Sequence, residues 1–332
     1  MFVIRHTDVE KVLSGREGSV IDVVADAYAR FDAGAAAVPH SVFLRFPGDT
    51  SNRIIGLPAY IGGAGAAAGM KWVASFPGNL TAGMPRAHAV IVLNSLRTGR
   101  PEVLLEGSMI SAWRTAASAA LAARELTATA PDGVTFVGCG VINAEVLRFL
   151  VTIWPGLGRV MLYDTDPGRA TAFAGRCREL LPRAQVEIAA TRDDALAAHG
   201  LVSVATTATT PHMGLDACRP GAVVLHVSLR DLVVPAMLES INVVDDADHV
   251  SRENTSVHLA ERESGGRDFI HASIGALLRG RVTLPRHSGR RVVFSPFGLG
   301  SLDIALASYV ARIAQDLGLC VPVDDFFPAP GS

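Results

Sequence analysis

Val134-Thr135-Phe136-Val137-Gly138-Cys139-Gly140-Val141-Ile142-Asn143 is the stretch on which the fold turns. A short apolar strand runs into a G-x-G turn, and a helical pattern opens at Val141 and continues to Trp154. The first glycine permits the tight turn. The second lets the backbone approach a pyrophosphate at the helix amino terminus, where unpaired N–H groups and the helix dipole favour an anion. The third position of the fingerprint holds Asn143 instead of Gly or Ala, so the match is partial. Asp164 ends the next strand-like run. An acid there accepts hydrogen bonds from the adenosine ribose and repels a 2′-phosphate, which favours NAD over NADP.

Downstream of this unit the pattern repeats. Residues 159–163, 185–189, 201–205 and 222–227 read as strands separated by helix-length segments, and Asp166 caps a helix that starts at Pro167. Strands alternating with helices imply a doubly wound parallel sheet. Upstream the pattern differs. A helical stretch at 21–31 is followed by strand-like runs at 42–46, 53–57, 66–75, 87–93 and 102–105, broken by Gly and Pro. Residues 111–126 form an Ala-rich helix with Ser108 as its cap, ended by Pro131-Asp132-Gly133, and the domain junction falls within it. A helix over 301–317 returns to the first unit. The expected fold class is therefore α/β: a Rossmann doubly wound parallel sheet over 116–302, plus a mixed α+β substrate-binding and dimerisation domain from 1–115 with 303–332.

Composition narrows the function classes. The chain has 332 residues, 49% hydrophobic and 19% charged, with a net charge of −2. That balance argues against nucleic acid as a partner, since such binders show a basic patch or stripe. No apolar run reaches the 18 or so residues of a membrane span, and Met1-Phe2-Val3-Ile4-Arg5-His6-Thr7-Asp8 lacks a signal-peptide pattern. A cytoplasmic protein is expected. Cys139, Cys177, Cys218 and Cys320 form no C-x-x-C pair, and no histidines show zinc-type spacing, so no metal is expected.

The chemistry-bearing residues are cations and one acid. Lys11 and Lys71 are the only lysines. Arg45, Arg53, Lys71, Arg86 and Arg114 lie in apolar sequence, and cations buried there need partners, which anionic substrate groups would supply. Read singly, each is more often a surface residue, with Lys71 and Arg114 set apart by their apolar flanks. Thr206-Thr207-Ala208-Thr209-Thr210-Pro211 follows a strand, at the sheet edge where ligands bind; it lines the nicotinamide-ribose side or is a plain polar loop. Asp231, in Ser228-Leu229-Arg230-Asp231-Leu232, is placed to exchange a proton with an amine or a water, or to cap the following segment.

Gly69-Met70-Lys71-Trp72-Val73, Thr98-Gly99-Arg100-Pro101, Arg114-Thr115-Ala116-Ala117, the Gly138/Gly140 turn and Gly300-Ser301-Leu302-Asp303-Ile304-Ala305 resemble the ornithine cyclodeaminase and mu-crystallin family, in order along nearly the whole chain. The resemblance implies a Rossmann domain and a substrate domain that forms a homodimer. It implies Arg45, Lys71 and Arg114 on a substrate carboxylate, with Arg86 and Arg230 as further substrate contacts, and Lys71 and Asp231 as catalytic residues. It implies NAD held by Thr115, Gly138, Gly140, Val141, Ile142, Asn143, Asp164, Thr206, Thr207, Ala208, Val227 and Ser228. Where ornithine cyclodeaminases carry a glutamate beside the substrate amine, this chain has Ile55 ahead of Leu57-Pro58. Ser75-Phe76-Pro77-Gly78-Asn79, Leu105-Glu106-Gly107-Ser108 and Asp246-Ala247-Asp248-His249-Val250 are similar to the N-(2-amino-2-carboxyethyl)-L-glutamate dehydrogenase branch, which supplies 2,3-diaminopropionate for siderophores and peptide antibiotics. The implied substrate is a small polycarboxylate amine. A cyclodeaminase, an amino-acid dehydrogenase or ketimine reductase, and a crystallin-like dinucleotide-binding protein are the alternatives.

Overall fold

The computed structural model describes residues 1–285 and 288–328. In chain order, the first unit contains β1 (Phe2–Ile4), α1 (His6–Leu13), α2 (Glu17–Asp32), β2 (Ala36–Ala37), β3 (Val42–Phe46), β4 (Asp49–Ile61), β5 (Ala67–Ser75), β6 (Ala87–Asn94), β7 (Pro101–Glu106) and the start of α3 (Ser108–Leu126). The second contains β8 (Val134–Val137), α4 (Val141–Ile153), β9 (Arg159–Tyr163), α5 (Pro167–Leu180), β10 (Gln185–Ile188), α6 (Arg192–Ala198), β11 (Leu201–Val204), β12 (Val223–His226), α7 (Val234–Glu239), β13 (Ile241–Val244), α8 (Ala247–Val250), α9 (Ser256–Ser264), β14 (Ile270–Ser273), α10 (Ile274–Leu278) and β15 (Val292–Ser295). The chain then re-enters the first unit with α11 (Gly300–Asp316) and β16 (Val321–Pro322). The units are Met1–Arg114 with Leu299–Ser332, and Thr115–Gly298, so the division falls inside α3.

The second unit is the parallel sheet. Its order is β10-β9-β8-β11-β12-β15-β13-β14, and every neighbouring pair is parallel. From β8 the chain winds one way to β9 and β10, then returns to place β11 on the other side. The strand order therefore reverses at β8/β11, which is where such sheets open a ligand crevice at the carboxyl ends of their strands. β8, β11, β12 and β13 are buried at every residue, as strands covered on both faces must be. β13 and β15 lie outside the sequence-based strands; their four-residue apolar runs carry no periodic signal of their own.

The first unit is a mixed sheet ordered β16-β1-β7-β6-β5-β4-β2, with β3 pairing β4. α11 covers one face, packing on β4, β5, β6 and α2. Its buried stripe, Asp303, Leu306, Ala307, Val310 and Ala314, has helical spacing. The sheet row Leu57, Lys71, Ile91 and Leu105 is buried throughout. On the opposite face Tyr60, Met70, Trp72 and Val90 are exposed, as strand alternation requires. α3 begins at Ser108 itself. Its N-cap carboxylate is Glu106, which accepts from the backbone N–H of Ser108 at 2.6 Å and of Met109 at 3.2 Å, while the Ser108 hydroxyl accepts from Ala89 N–H.

Candidate functional site

In the first unit, alternation along β5 turns Lys71 inward, toward α11. Its Nζ donates to Asp303 Oδ2 at 2.7 Å and to Ser111 Oγ at 3.1 Å. Arg114 Nε donates to the other oxygen of Asp303 at 3.0 Å. Lys71 and Asp303 are fully buried, and the Arg114 side chain is 11% exposed. Two cations share one carboxylate, so the cluster retains one positive charge in an apolar layer. Burial pushes the Lys71 ammonium down to about 8, against the pull of Asp303, and the Arg114 charge pushes the same way as burial. An anion entering here gains from the surplus charge and from low dielectric. Asp303 carries part of the resemblance but has no role assigned from sequence; its signal is a carboxylate inside an otherwise apolar stripe of α11.

The other expected substrate cations do not join this cluster. Arg45 is exposed on β3, directly opposite Arg53, with its guanidinium 5.5 Å from the Phe43 ring centre. Register puts Arg45 and Arg53 level with Ser75, on the Lys71 face but four residues along, about 13 Å at strand rise. Arg86 is half-buried, which lowers its pKa, and among the described residues its guanidinium has no hydrogen-bond or ion-pair partner. Arg230 is a correction: its Nε and Nη2 donate to the Glu253 carbonyl at 3.2 and 2.8 Å, so the guanidinium braces the left-handed turn at Glu253 and Asn254.

In the second unit the Gly138 turn sits at the β8/β11 reversal. Gly138 has φ 88°, and a Cβ there would lie 2.3 Å from the Ala205 carbonyl oxygen, so only glycine fits. Gly140 differs: a Cβ would meet no atom within 4 Å among the described residues. α4 starts beside this open space with no side-chain cap, and Val141 in its first turn is 65% exposed while Ile142 is half-buried. Bare N–H groups beside unfilled space suit a pyrophosphate. Asp164 accepts from Cys139 N–H at 2.7 Å and Asp166 N–H at 2.9 Å, which fixes its carboxylate at the end of β9. The pattern fits a dinucleotide. Asn143 is buried, and its side-chain amide donates to the carbonyls of Val137 and Gly138 and accepts from Ser203, so the side chain holds the turn from beneath while its backbone N–H lies in the first turn of α4. Cys139 is no nucleophile, since burial and Asp164 push its thiol up to about 12. Burial pushes Cys177 up to about 12 and Cys218 up to about 11, and Cys320 alone of the four is not fully buried.

Asp231 is a correction as well. Its carboxylate is fully buried and accepts from the hydroxyls of Thr206 and Ser228, with His226 Nε2 and His212 Nε2 each 3.3 Å away. Burial alone would raise its pKa; the His226 imidazole, Ser228 and Thr206 outweigh burial and hold it well below the usual carboxylate range. A carboxylate held that low is a weak base near neutral pH. The Thr206 and Ser228 hydroxyls are likewise turned to Asp231, Thr206 Oγ1 also accepting from Ala208 N–H. Thr207 is exposed, Thr115 and Val227 are half-buried, and Val227 N–H is tied to the Val204 carbonyl at 2.9 Å. A cavity of about 1210 Å³ opens at the amino edge of the sheet between Glu125, Arg219 and Arg290, away from these groups.

A doubly wound dinucleotide-type unit, together with a mixed-sheet unit carrying a buried Lys–Asp–Arg cluster, defines a class of two-unit proteins. The ornithine cyclodeaminase/mu-crystallin family model matches residues 2–316, and the chain belongs to that family. It is 26% identical to an N-((2S)-2-amino-2-carboxyethyl)-L-glutamate dehydrogenase of Staphylococcus aureus, over 95% of this chain and 96% of that one. An alanine dehydrogenase of Archaeoglobus fulgidus is 27% identical, with 93% of each chain covered. Among solved structures, a Thermococcus litoralis Delta(1)-pyrroline-2-carboxylate reductase in complex with NADH and L-proline superposes with a TM-score of 0.89 at 25% identity, covering 97% of this chain and 100% of that one. No helix among the described residues is long and apolar enough to cross a membrane.

Proposed function

We propose that the protein is an NAD-dependent oxidoreductase of amino-acid CH–NH groups, and within that class oxidises N-(2-amino-2-carboxyethyl)-L-glutamate to 2-oxoglutarate and L-2,3-diaminopropionate, a building block of siderophores and peptide antibiotics. The observation that carries this reading is the buried Lys71–Asp303–Arg114 cluster with its surplus positive charge. The overall balance is amine, NAD and water to keto acid, diamino acid, NADH and a proton. NAD, when bound, supplies the hydride acceptor. The residues that would hold it are Gly138, Gly140, Val141 and Ile142 at the pyrophosphate, Asp164 at the adenosine ribose, and the loops at Thr207 and Ser228.

The first unit's own residues bind and orient. Lys71 and Arg114 grip the α-carboxylate beside the reacting carbon, and fixing that carbon lowers the barrier by removing rotational freedom before reaction. Asp303 keeps both cations in place. Arg45, Arg53 and Arg86 suit the further carboxylates that a tricarboxylate brings. Ile55, half-buried, pairs with Val73, two residues from the Leu57–Lys71 pair and so on the Lys71 face. An apolar side chain there offers nothing to a second ammonium group, which disfavours ornithine. The exposed row Tyr60, Met70, Trp72 and Val90, each 38–41% exposed, supports a homodimer through this sheet.

The test mixes protein, NAD and N-(2-amino-2-carboxyethyl)-L-glutamate and follows NADH absorbance, with 2-oxoglutarate quantified in parallel. NADH and keto acid in equal amounts are expected. Ammonia without NADH from ornithine would make it a cyclodeaminase, NADH from alanine alone a simple dehydrogenase, and NAD binding without turnover a binding protein.

A further inference from the structure

Asp231 is too acidic to accept the proton that amine oxidation releases, yet it is surrounded by donors as if built to hold something. His212 is the most exposed of these; Thr206 and Ser228 are half-buried and His226 is fully buried. Its backbone N–H and that of Met213 both donate to the Asp231 carbonyl, at 2.8 and 3.0 Å, and Met213 bridges to Leu232. The loop after β11 is thereby clipped to the loop after β12. Arg192 Nη1 holds the His212 carbonyl from the other side at 3.0 Å. The clip sets His212 Nε2 3.3 Å from Asp231 Oδ1.

The side chain is 39% exposed, and among the described residues its Nδ1 has no hydrogen-bond partner. An ionised carboxylate on Nε2 requires that nitrogen to carry the hydrogen, so in the neutral ring Nδ1 presents its lone pair outward. A buried carboxylate fixing the tautomer of a ring whose far nitrogen is open is the arrangement by which an aspartate makes a histidine an effective base. The dyad stands at the carboxyl edge of the parallel sheet, where ligands of such sheets bind.

We propose that His212, oriented by Asp231, is the general acid–base of the reaction. The assignment rests on the amine-oxidation reading above. Oxidation of the neutral amine to the imine frees its N–H proton; Nδ1 would take it and release it to solvent. In the hydrolysis that follows, the ring takes a proton from the adding water and delivers one to the departing nitrogen. The imidazole ends each half as it began, and no further oxidant or reductant is needed. Asp231 is a positioning residue in this scheme.

The experiment compares wild type, His212→Ala and His212→Gln in NADH production, with NAD and substrate affinities by calorimetry and with imidazole added to the medium. Loss of a general acid–base costs about 10²–10⁴-fold in kcat. That loss is expected in both variants, with the two affinities within about threefold of wild type. Free imidazole should recover His212→Ala at least tenfold and leave His212→Gln, whose side chain still fills the space, unchanged. A kcat within threefold of wild type overturns the assignment. So does a loss that imidazole does not relieve or that tracks weakened NAD binding, because a merely structural histidine behaves that way. Should the variants fail to fold, carbethoxylation of wild type decides. Inactivation in step with modification at His212, slowed by bound substrate, is expected; full activity with His212 modified overturns it. A wild type that binds NAD but oxidises no amine instead fails the reading beneath.

Discussion

Two aspartates are buried to the same degree and do opposite work. Asp303, in the mixed-sheet unit, is met by Lys71 and Arg114, so the site as a whole stays positive. Asp231, in the parallel-sheet unit, is met by two hydroxyls and two imidazoles. Its negative charge is held by the hydroxyls of Thr206 and Ser228 and by the imidazoles beside it, and it orients the His212 ring it touches. The same residue type at the same depth thus leaves an anion receptor in one place and an orienting anion in the other. The sign of the surplus is set by what the carboxylate is paired with, since burial by itself only raises the cost of an unpaired charge.

The largest test removes one side of that contrast. Asp303→Asn leaves two buried cations without their counter-charge, and breaking a buried pair costs about 3–5 kcal/mol. Calorimetry should show the unfolding midpoint fall by on the order of 10 °C; a shift of a degree or two would mean the cluster is wetter and weaker than its burial implies. Asp231→Asn is next. An amide cannot fix the His212 tautomer, and kcat should fall about 10²–10³-fold while the amine and NAD still bind. Substrate affinity that collapses together with kcat would make Asp231 a binding residue, and the contrast would fail.

The third test uses proton linkage. The folded pKa of Lys71 is lowered from 10.5 to about 8. Below about 8 the ammonium is charged and helps hold a carboxylate. As pH rises through 8 it neutralises, Arg114 remains alone, and substrate affinity should weaken by about tenfold between pH 7 and 9.5. Stability moves the other way. Between about 8 and 10.5 the unfolded chain still binds the proton that the folded chain has lost, so the Lys71 contribution to stability rises with pH. Calorimetric titrations and melts across that range check both signs. The smallest effect concerns the loop that presents Asp231. Leu229 adopts φ 70°, a conformation costing a side-chain-bearing residue about 1–2 kcal/mol, but it is buried in the core beside Leu232 and Met237. Leu229→Gly relieves the strain and forfeits about 2–3 kcal/mol of burial. Burial wins, and urea melts should show a net loss of about 1 kcal/mol.

Local pattern made the parallel sheet legible. The strand–turn–helix run at 134–143, and the strands at 159–163 and 201–204 that flank it, follow from four-residue apolar blocks with helices between. It also gave the turn at Gly138, because a steric requirement is written in one residue. What the pattern could not give was pairing across the chain. Lys71 meets a carboxylate 232 residues away, and nothing near Lys71 announces it. Asp231 reads as a base because the sequence shows Ser228 and His226 beside it but not Thr206 and His212, which the loop after the neighbouring strand brings in to make it an anchor. Arg230 failed for a related reason, since its partner is a backbone carbonyl 23 residues on, which side-chain patterns do not display. Residue type points to Ser108 as the cap of α3, but Glu106 reaches two N–H groups where a serine reaches one.

The distribution of sulfur has a practical outcome. With Cys139, Cys177 and Cys218 enclosed, a maleimide dye has one accessible place to attach, the half-buried Cys320 in the turn between α11 and β16. A fluorophore can therefore be fixed to the mixed-sheet unit without engineering and without poisoning the dinucleotide turn, and an alkylating inhibitor aimed at the glycine-rich loop would find nothing there to bite.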